Sequence, residues 1–404
     1  MTSHVINRPR AERVLAEAGV DVVVASTYEN VFYFSGYEGF VQRVTPATQV
    51  YAVLRADAMS EPTLVAPLGD LDMQAQFPAA LASVRPYGKR MVIEQQGEPL
   101  DEEATRYAVL AALDPSDSPT EALLDVLASL PAGTRIALDE RGLSAATRDA
   151  LLAGYGDRIV AGAGVLDTIR MVKTPEEVRR LEAAALTIES SYEAAIEAAA
   201  EGISEAELAS IFDRNTVARG SRPHFTVLAF GERGALPNAV SSSARRLRHG
   251  DTIRFDIGCK TEQYSSDIAR TAVFGEPSEK VARYYGAILA GEQAMIDVMR
   301  PGIAAKEVFA AAVEATREAG IPHYRRHHVG HGVGLDTYDP PLLDETTETR
   351  LEAGMVFEVE TPYYELGFAG LQVEDTVLVT EDGCRLLTRS ARELRVIEPV
   401  AAAR

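Results

Sequence analysis

Two aspartates are spaced in the sequence as a metal site requires. Asp256 lies in the apolar segment Thr252-Ile-Arg-Phe-Asp-Ile257, and Asp267 follows eleven residues later in Ser265-Ser-Asp-Ile268. A turn centred on Thr261-Glu262 would place the two carboxylates opposite each other in an antiparallel hairpin, about 5 Å apart at Cβ. Because like charges so placed repel, the pair predicts a divalent cation between them. The alternative is that one aspartate simply faces solvent.

A second pair of acidic residues, Glu360 and Glu374, is spaced in a similar way. Glu360 ends the segment Met355-Val-Phe-Glu-Val-Glu360, and Glu374 lies in Leu371-Gln-Val-Glu-Asp-Thr376. The midpoint between them is Gly367, a residue type that favours turns, so these two carboxylates are also expected to face each other across a hairpin. Glu358 shares a strand face with Glu360, and spacing alone leaves either glutamate as the ligand.

Four of the seven histidines lie between His323 and His331. His331 stands among glycines in Gly330-His-Gly-Val-Gly334, which predicts a close approach of the backbone around its imidazole. A single histidine is more often a core residue than a ligand. A His327-x-x-x-His331 pair inside a glycine-rich loop, in a chain with two acidic hairpins, favours a ligand.

Four carboxylates and one imidazole suit divalent ions such as Mn²⁺, Co²⁺, Fe²⁺ or Zn²⁺. Four carboxylates are many for one ion, and they suit two ions bridged by shared carboxylates. Two ions about 3.5–4 Å apart can bind a bridging hydroxide and polarise a carbonyl group. The predicted reaction is therefore hydrolysis, in which a metal-activated water attacks an amide-like carbon.

The composition restricts the partners of such a site. The chain has 404 residues, which at roughly 100–200 residues per domain favours two domains. Its net charge of −20 disfavours nucleic acid and anionic membranes as partners. No signal-peptide pattern and no membrane-spanning apolar run occur, and the two cysteines, Cys259 and Cys384, are too few for a disulfide framework. We therefore expect a cytoplasmic protein.

The elements that must position these residues fall into two halves. The first half predicts an α/β domain, with helices at residues 10–18 and 121–130 and strands at 21–26, 48–57, 62–68 and 134–140. Thr174-Pro-Glu-Glu177 has the cap, the proline and the third-position glutamate of a helix start, so a domain boundary is predicted near residue 170. Helices at 178–200, 204–218, 279–300 and 305–320 are predicted around the hairpins of the second half.

Taken together, the motifs resemble those of the creatinase/prolidase/aminopeptidase P family, the "pita-bread" metallohydrolases related to methionine aminopeptidase. The resemblance rests on Asp256-Ile-Gly, Asp267-Ile-Ala-Arg-Thr271, Gly330-His-Gly-Val-Gly-Leu335, Gly354-Met-Val-Phe and Val373-Glu-Asp-Thr376. It covers residues 171–398 directly, and the preceding half is similar to the N-terminal domain of creatinase and prolidase. It implies an N-terminal α/β domain over residues 1–170 and an α+β pita-bread catalytic domain over residues 171–404.

The resemblance also implies roles for individual residues. It places the ligands of two divalent ions at Asp256, Asp267, His331, Glu360 and Glu374. It makes Glu360 the general base as well, leaves Glu358 as a neighbour, and places His327 near the substrate.

Family members are usually homodimers or larger, and the partner's N-terminal domain often helps to close the site. Tyr33, Tyr37 and Arg43 are candidates for that role here. The alternative for these three residues is ordinary packing in strands.

Four departures from the family pattern concern the surroundings of the metal. Asn238 and Tyr338 stand where family peptidases carry histidines, and Gln372 stands where prolidase-like enzymes carry an arginine that helps hold the substrate carboxylate. The fourth is Thr361-Pro362 in place of Pro-Gly. Asn238 and Tyr338 still donate hydrogen bonds, but neither titrates near neutral pH. His224 and His328 are close enough in sequence to replace a missing histidine.

An intact ligand set in altered surroundings predicts a metal-dependent hydrolase with a changed substrate. The substrate is either a short peptide or a small metabolite with a non-peptide C–N bond, as creatinase cleaves. Creatinase itself works without metal, so the ligand set argues against an identical mechanism. A catalytically silent binding protein on this fold is a further alternative, disfavoured because no ligand position is lost. We expect simple Xaa-Pro dipeptides to be poor substrates.

Overall fold

The computed structural model describes residues 5–398, so the outermost residues of both predicted domains lie outside the described range. The chain divides between Arg170 and Met171 into two compact units.

The N-terminal unit is built on a six-stranded mixed sheet with the strand order β4-β3-β2-β1-β5-β6. Its strands are β1 (Val22–Ala25), β2 (Tyr51–Arg55), β3 (Thr63–Pro67), β4 (Ser83–Tyr87), β5 (Ile136–Leu138) and β6 (Ile159–Ala161). Its helices are α1 (Arg8–Ala18), α2 (Tyr28–Ser35), α3 (Phe40–Val44), α4 (Asp72–Gln76), α5 (Glu102–Ala111), α6 (Pro119–Ala128), α7 (Ala145–Tyr155) and α8 (Ala163–Arg170). Every residue of β1 is buried, and Val22 and Val24 lie in a core shared with α6; the strand pairs antiparallel with β2 and parallel with β5. The α/β organisation predicted for this half is confirmed.

The aromatic segment that contains Tyr33 is helical, so the alternative of strand packing for this residue was wrong. The side chain of Thr27 accepts a hydrogen bond from the amide of Asn30 at the start of α2, and Gly36 ends the helix at a φ of 73°. The cap and the glycine therefore decide the local structure, although aromatic residues are more frequent in strands.

The C-terminal unit contains a nine-stranded sheet, in which seven strands follow the order β11-β10-β12-β15-β9-β8-β7. Strands β16 and β17 add to β15 and β9, and β13 and β14 form a separate hairpin. The strands are β7 (Arg222–Phe230), β8 (Thr252–Thr261), β9 (Tyr264–Phe274), β10 (Gly330–Gly332), β11 (Asp339–Leu342), β12 (Val356–Glu360), β13 (Tyr363–Glu365), β14 (Ala369–Leu371), β15 (Glu374–Val379), β16 (Cys384–Leu386) and β17 (Arg395–Ile397). The helices are α9 (Pro175–Ala198), α10 (Glu205–Ala218), α11 (Glu279–Val298) and α12 (Ala305–Glu318).

Alternation along the strands separates a helix-covered face from a polar face. In β8, Ile253, Phe255 and Ile257 are fully buried in a core shared with α9 and α10. In β12, Phe357 and Val359 are buried in a core shared with α11 and α12. Since successive side chains point to opposite sides of a sheet, the residues between them project from the other face. We call that surface the acidic face, because it carries Asp256, Asp267, Glu358, Glu360 and Glu374.

The register of the β8–β9 hairpin differs from the predicted one. Its turn is formed by Glu262 and Gln263, both with positive φ, and Asp256 pairs with Ala269 rather than with Asp267. The prediction centred the turn one residue too early, so the two aspartates are diagonal neighbours and do not lie directly opposite each other. They still share a face, because the register differs by two residues, a full period of the pleat.

Helix α9 begins as predicted. The hydroxyl of Thr174 accepts a hydrogen bond from the amide of Glu177, whose carboxylate in turn accepts one from the amide of Thr174 at 2.8 Å. Among residues 5–398, no helix has both the length and the apolarity needed to cross a membrane.

Loss of this cap should destabilise the C-terminal unit. We predict that Thr174→Ala lowers the free energy of unfolding by about 1 kcal/mol, because it removes the hydroxyl that accepts the Glu177 amide. Urea denaturation followed by circular dichroism measures the change. Thr187→Ala is the matched control within the same helix and should change stability by less than about 0.5 kcal/mol. Equal losses in the two variants would contradict the role of the cap.

Candidate metal centre

Four neighbouring strands place three carboxylates in one row across the acidic face. Asp256 pairs with Ala269, Ala269 with Glu374, and Glu374 with Glu360. The predicted register of the Glu360–Glu374 pair is confirmed. The row crosses from β8 through β9 and β15 to β12.

A second row lies two residues along the same strands. Asp267 precedes Ala269 by two positions, and Glu358, which precedes Glu360 by two, pairs directly with His331 of β10. The sheet therefore brings all five predicted ligand residues to one area of the acidic face.

Three of these residues already point at a common centre. One ligand atom from each of Asp267, His331 and Glu374 lies within 4.8 Å of the other two, and all three residues are buried. The Nε2 atom of His331 is 3.9 Å from Oδ2 of Asp267. Among the described residues, neither His331 Nε2 nor Asp267 Oδ1 has a hydrogen-bond partner. Buried polar atoms are rarely left unsatisfied, so the set fits a divalent cation bound between them.

The imidazole of His331 is held in the orientation that a ligand needs. Its Nδ1 atom lies 3.1 Å from the carbonyl oxygen of Gly332, to which it can donate, leaving Nε2 as the acceptor. Burial lowers the pKa of His331 to about 4, so the ring is neutral near pH 7.

The glycines beside His331 are required by close backbone contacts, as predicted. Gly330 has a φ of +149°, and a Cβ there would lie 2.2 Å from the carbonyl oxygen of Glu358. A Cβ at Gly332 would lie 2.7 Å from the carbonyl oxygen of Asp339. Any side chain at these positions would push β10 away from its neighbours and displace the imidazole.

The carboxylates strongly resist ionisation in the absence of a cation. Burial raises the pKa of Asp267 well above its ordinary value, and the charges of Asp256 and Glu358 raise it further. The pKa of Glu374 is also raised well above the ordinary value by burial and then by Asp267 and Glu360. Burial raises the pKa of Glu360 to about 7. A divalent ion would reverse this balance by favouring the charged carboxylates.

Glu360 and Glu358 differ in their contacts. Oε2 of Glu360 accepts a hydrogen bond from Nε2 of Gln372 at 3.2 Å, and its Oε1 lies 3.2 Å from Nδ1 of His328. Glu358 is fully buried, and its Oε1 accepts a hydrogen bond from the backbone amide of Asp267 at 3.3 Å. Burial raises the pKa of Glu358 to about 8. Glu358 therefore supports the backbone beneath the cluster.

Two arginines of the site were missed by the sequence reasoning. Arg254 is fully buried, and its Nη1 donates to Oδ2 of Asp256 at 3.2 Å and to Oε1 of Gln372 at 2.9 Å. Nη2 of Arg326 lies 3.8 Å from Oε1 of Glu360. The available signal for Arg254 was its position two residues before Asp256 in an apolar strand, which assigns both side chains to one face.

Tyr338 lies flat against the predicted histidine ligand. Its ring centroid is 3.7 Å from that of His331, with 20° between the planes, although Tyr338 is 58% exposed. Burial and the charges of Glu360 and Glu374 raise the pKa of Tyr338, so its hydroxyl stays protonated. This residue covers the outer side of the imidazole.

The remaining predicted residues are less closely associated with the cluster. His327 is exposed and packs edge-on against His328 at 4.3 Å between centroids. Asn238 and His224 are exposed, and within residues 5–398 no hydrogen bond or ion pair joins their side chains to the five predicted ligands.

The three candidates for closing a partner's site, Tyr33, Tyr37 and Arg43, lie in the N-terminal unit, and Tyr33 is buried in α2. Tyr37 is buried there, and its hydroxyl donates to the carboxylate of Asp70 at 3.0 Å, so it is a packing residue of this unit. Arg43 is exposed at the end of α3, with its guanidinium over the ring of Phe40.

Comparison with known proteins covers both units. The profile of Metallopeptidase family M24 matches residues 179–381, and that of the Creatinase/Prolidase N-terminal domain matches residues 8–172. The Xaa-Pro dipeptidase of Pyrococcus furiosus is 38% identical over 232 residues, which is 57% of this chain and 66% of that protein. The match thus spans just under two thirds of this curated relative.

Solved structures match over nearly the whole chain. Dipeptidase PepE from Mycobacterium ulcerans is 28% identical with a TM-score of 0.76, covering 97% of both chains. The prolidase from Pyrococcus furiosus is 28% identical with a TM-score of 0.73, covering 94% of this chain and all of that one.

The cluster generates a prediction about metal uptake. Asp267→Ala should abolish binding of Mn²⁺, because it removes a carboxylate at the centre of the buried set, and it should leave the fold largely intact because it relieves repulsion. Dialysis against Mn²⁺ followed by elemental analysis measures uptake, and circular dichroism checks the fold. Glu381→Ala, which removes an exposed carboxylate of the same unit, is the control and should bind as the parent protein does. Undiminished Mn²⁺ in Asp267→Ala would contradict the site.

Proposed function

Because the chain belongs to metallopeptidase family M24, we propose that it is a metal-dependent hydrolase that cleaves an amide-type C–N bond. Its N-terminal domain is of the creatinase/prolidase type, and its C-terminal domain has the pita-bread fold that the motifs predicted. The observation that carries the proposal is the pair of unpartnered, buried atoms Asp267 Oδ1 and His331 Nε2 within a cluster of carboxylates. A catalytically silent binding protein has no need of such costly burial.

The proposed ligands of two divalent ions, Mn²⁺, Co²⁺, Fe²⁺ or Zn²⁺, are the five predicted residues. They are Asp256, Asp267, His331, Glu360 and Glu374. When bound, such ions lower the pKa of a water molecule and polarise the carbonyl of the bond to be cleaved.

Glu360 is the proposed general base. It lies in the same carboxylate row as Asp256 and Glu374, so a proton acceptor stands beside the proposed ion positions. Gln372 holds one carboxylate oxygen by a hydrogen bond, so the carboxylate has a defined orientation.

Three further residues are proposed to donate hydrogen bonds to the substrate. The ring of Tyr338 stacks on His331, and His327 and Asn238 are exposed in the loops that precede β10 and β8. His328 is buried, and burial lowers its pKa to about 3, so it acts beside Glu360 as a neutral ring.

The substrate is proposed to be a short peptide or another small amide. We propose that simple Xaa-Pro dipeptides are poor substrates, because Tyr338 occupies the space over His331 and Gln372 is already engaged by Arg254 and Glu360. Arg254 and Arg326 keep positive charge in this region, so the site still tolerates an anionic group. Hydrolysis of a non-peptide C–N bond in a small metabolite is the second candidate, favoured by the same crowding.

A homodimer and a cytoplasmic location complete the proposal. Residues 91–93 of the N-terminal unit form a run of apolar side chains, each more than half exposed, which supports contact with a second copy.

Cys259 and Cys384 are both free thiols, which suits a reducing compartment. Light scattering coupled to size-exclusion chromatography tests the dimer.

Substitution of the proposed base should distinguish the catalytic roles of the two neighbouring glutamates, Glu358 and Glu360. We predict that Glu360→Gln lowers kcat by at least about 10²–10⁴-fold, the usual value of general-base catalysis, on any substrate that is found. Glu358→Gln, the matched control two residues away, should have a mild effect because an amide oxygen still accepts the Asp267 amide. If Glu358→Gln were the more damaging change, the assignment of the base would be wrong. Full activity after thorough chelation would contradict metal dependence itself.

Kinetics on dipeptides test the substrate proposal. Ala-Pro and Gly-Pro, assayed with saturating Mn²⁺ or Co²⁺, should give kcat/KM below about 10⁴ M⁻¹s⁻¹, the lower limit of efficient enzymes. A parallel screen of non-proline dipeptides, longer peptides and small amides or ureas should contain a better substrate. Values above that limit for Ala-Pro would assign the protein as an Xaa-Pro dipeptidase.

A further inference from the structure

Two arginines, Arg254 and Arg326, lie beside the proposed metal centre and differ in what they contact. Nη1 of Arg254 donates to Oε1 of Gln372 at 2.9 Å. Its Nη2 donates to the carbonyl oxygens of Leu236 and Pro237 at 2.9 and 2.7 Å. The side chain of Arg254 is also fully buried. Its guanidinium is therefore held by protein groups and offers no open face to a ligand.

Arg326, in the loop between α12 and β10, carries the same charge without such partners. Among residues 5–398, no group forms a hydrogen bond with its guanidinium, and the Nε atom is buried. Nη2 lies 3.8 Å from Oε1 of Glu360, which is too far for a hydrogen bond. The guanidinium lies 5.6 Å from the ring centre of Tyr364. Because buried donors are rarely left unpaired, this arginine is expected to meet an acceptor that a ligand supplies.

The surroundings of Arg326 leave room for such a ligand. Its side chain is 12% exposed, and the residue lies in the wall of a cavity of about 990 Å³ that is lined largely by α12. The hydroxyl of Tyr324, in the same loop, is buried and has no hydrogen-bond partner within the described part of the chain. Burial raises the pKa of Tyr324 and the charge of Arg326 lowers it, so the two side chains are close in space. The loop therefore holds two neighbouring donors that lack acceptors.

We propose that Arg326 determines substrate specificity by binding a carboxylate group that the substrate carries close to the bond to be cleaved. The proposal rests on the metal-dependent hydrolase of the proposed function and names the class of substrate for that site. The planar guanidinium can donate to both oxygens of a carboxylate at once. Arg254 cannot take this role, because its Nη atoms are already used by Gln372 and by backbone carbonyls.

The position of Arg326 limits the size and charge of the substrate. Its Nη2 is 3.8 Å from the carboxylate of Glu360, the proposed base, and consecutive Cα atoms in a chain are about 3.8 Å apart. A group bound to Arg326 therefore lies within about one residue of the reacting bond, which favours dipeptides and N-acyl amino acids over long peptides. A singly charged carboxylate is favoured over a phosphate, because Glu360 repels a second negative charge.

Binding of a peptide analogue that cannot be hydrolysed tests the proposal. The probes are Ala-Ala with a methylene group in place of the peptide carbonyl and the C-terminal amide of the same compound. In calorimetric titration of the Mn²⁺-loaded parent protein, the free carboxylate should bind about tenfold or more tightly than the amide. Arg326→Met should bind the two probes equally. A preference for the carboxylate that persists in Arg326→Met, or that is absent from the parent protein, would overturn the proposal.

Arg325→Met is the matched control. Arg325 is the exposed neighbour in the same loop, so this variant loses the same charge and should keep the preference for the carboxylate. Arg326→Lys keeps the charge but loses the planar fork, and it should retain part of the preference. A loss in Arg325→Met as large as that in Arg326→Met would show a general effect of charge and would overturn the assignment.

A structure of the parent protein covers the case in which Arg326→Met does not fold. In crystals with the free-carboxylate probe bound, a carboxylate oxygen should lie within about 3.2 Å of the Arg326 guanidinium. A carboxylate bound elsewhere would overturn the proposal. If binding depends on Arg326 but no amide is hydrolysed in the substrate screen, the proposed function fails and the carboxylate site stands. Hydrolysis with no preference for a carboxylate would refute only the role of Arg326.

Discussion

The burial of several carboxylates within contact distance on one sheet face is the constraint on which the rest of the structure depends. A buried, unpaired carboxylate is costly, and neighbours of the same charge increase the cost. The acidic face therefore needs positive charge from somewhere. The protein supplies part of it through Arg254 and Arg326, and the unpartnered atoms of Asp267 and His331 mark where protein groups supply none.

The fold meets this constraint by assembling the site from two similar halves. Helices α9 and α10 precede the strands that carry Asp256 and Asp267, and helices α11 and α12 precede those that carry Glu360 and Glu374. Each half covers the back of its own strands with an apolar core. The halves meet where β9 pairs with β15, through Ala269 and Glu374. The acidic pairs thus converge at a seam of backbone hydrogen bonds, whose rigidity keeps repelling groups in place.

Much of this arrangement could be predicted because the period of a strand is two. Alternation alone assigned Asp256 and Asp267 to one face, whatever the turn between them. It could not supply the register, which depends on the positive φ values of Glu262 and Gln263, residues with no strong preference for that region. Alternation likewise left open whether Glu358 or Glu360 is the ligand, because the two glutamates share one face of β12. Arg254 was overlooked because its contacts come from loops and strands far away in sequence.

Arg254 supplies positive charge beside Asp256 within the buried part of the acidic face. Breaking a buried ion pair by removing one partner commonly costs about 3–5 kcal/mol, because the remaining charge is left buried and unpaired. A carboxylate has two oxygens and several lone pairs, so Asp256 can keep this hydrogen bond and still offer a ligand atom. A chain that replaced Arg254 by an apolar residue would leave Asp256 unpaired beside Asp267 and would depend on metal to fold well. The acidic face therefore combines a carboxylate paired with an arginine and buried atoms of Asp267 and His331 that have no partner among the described residues.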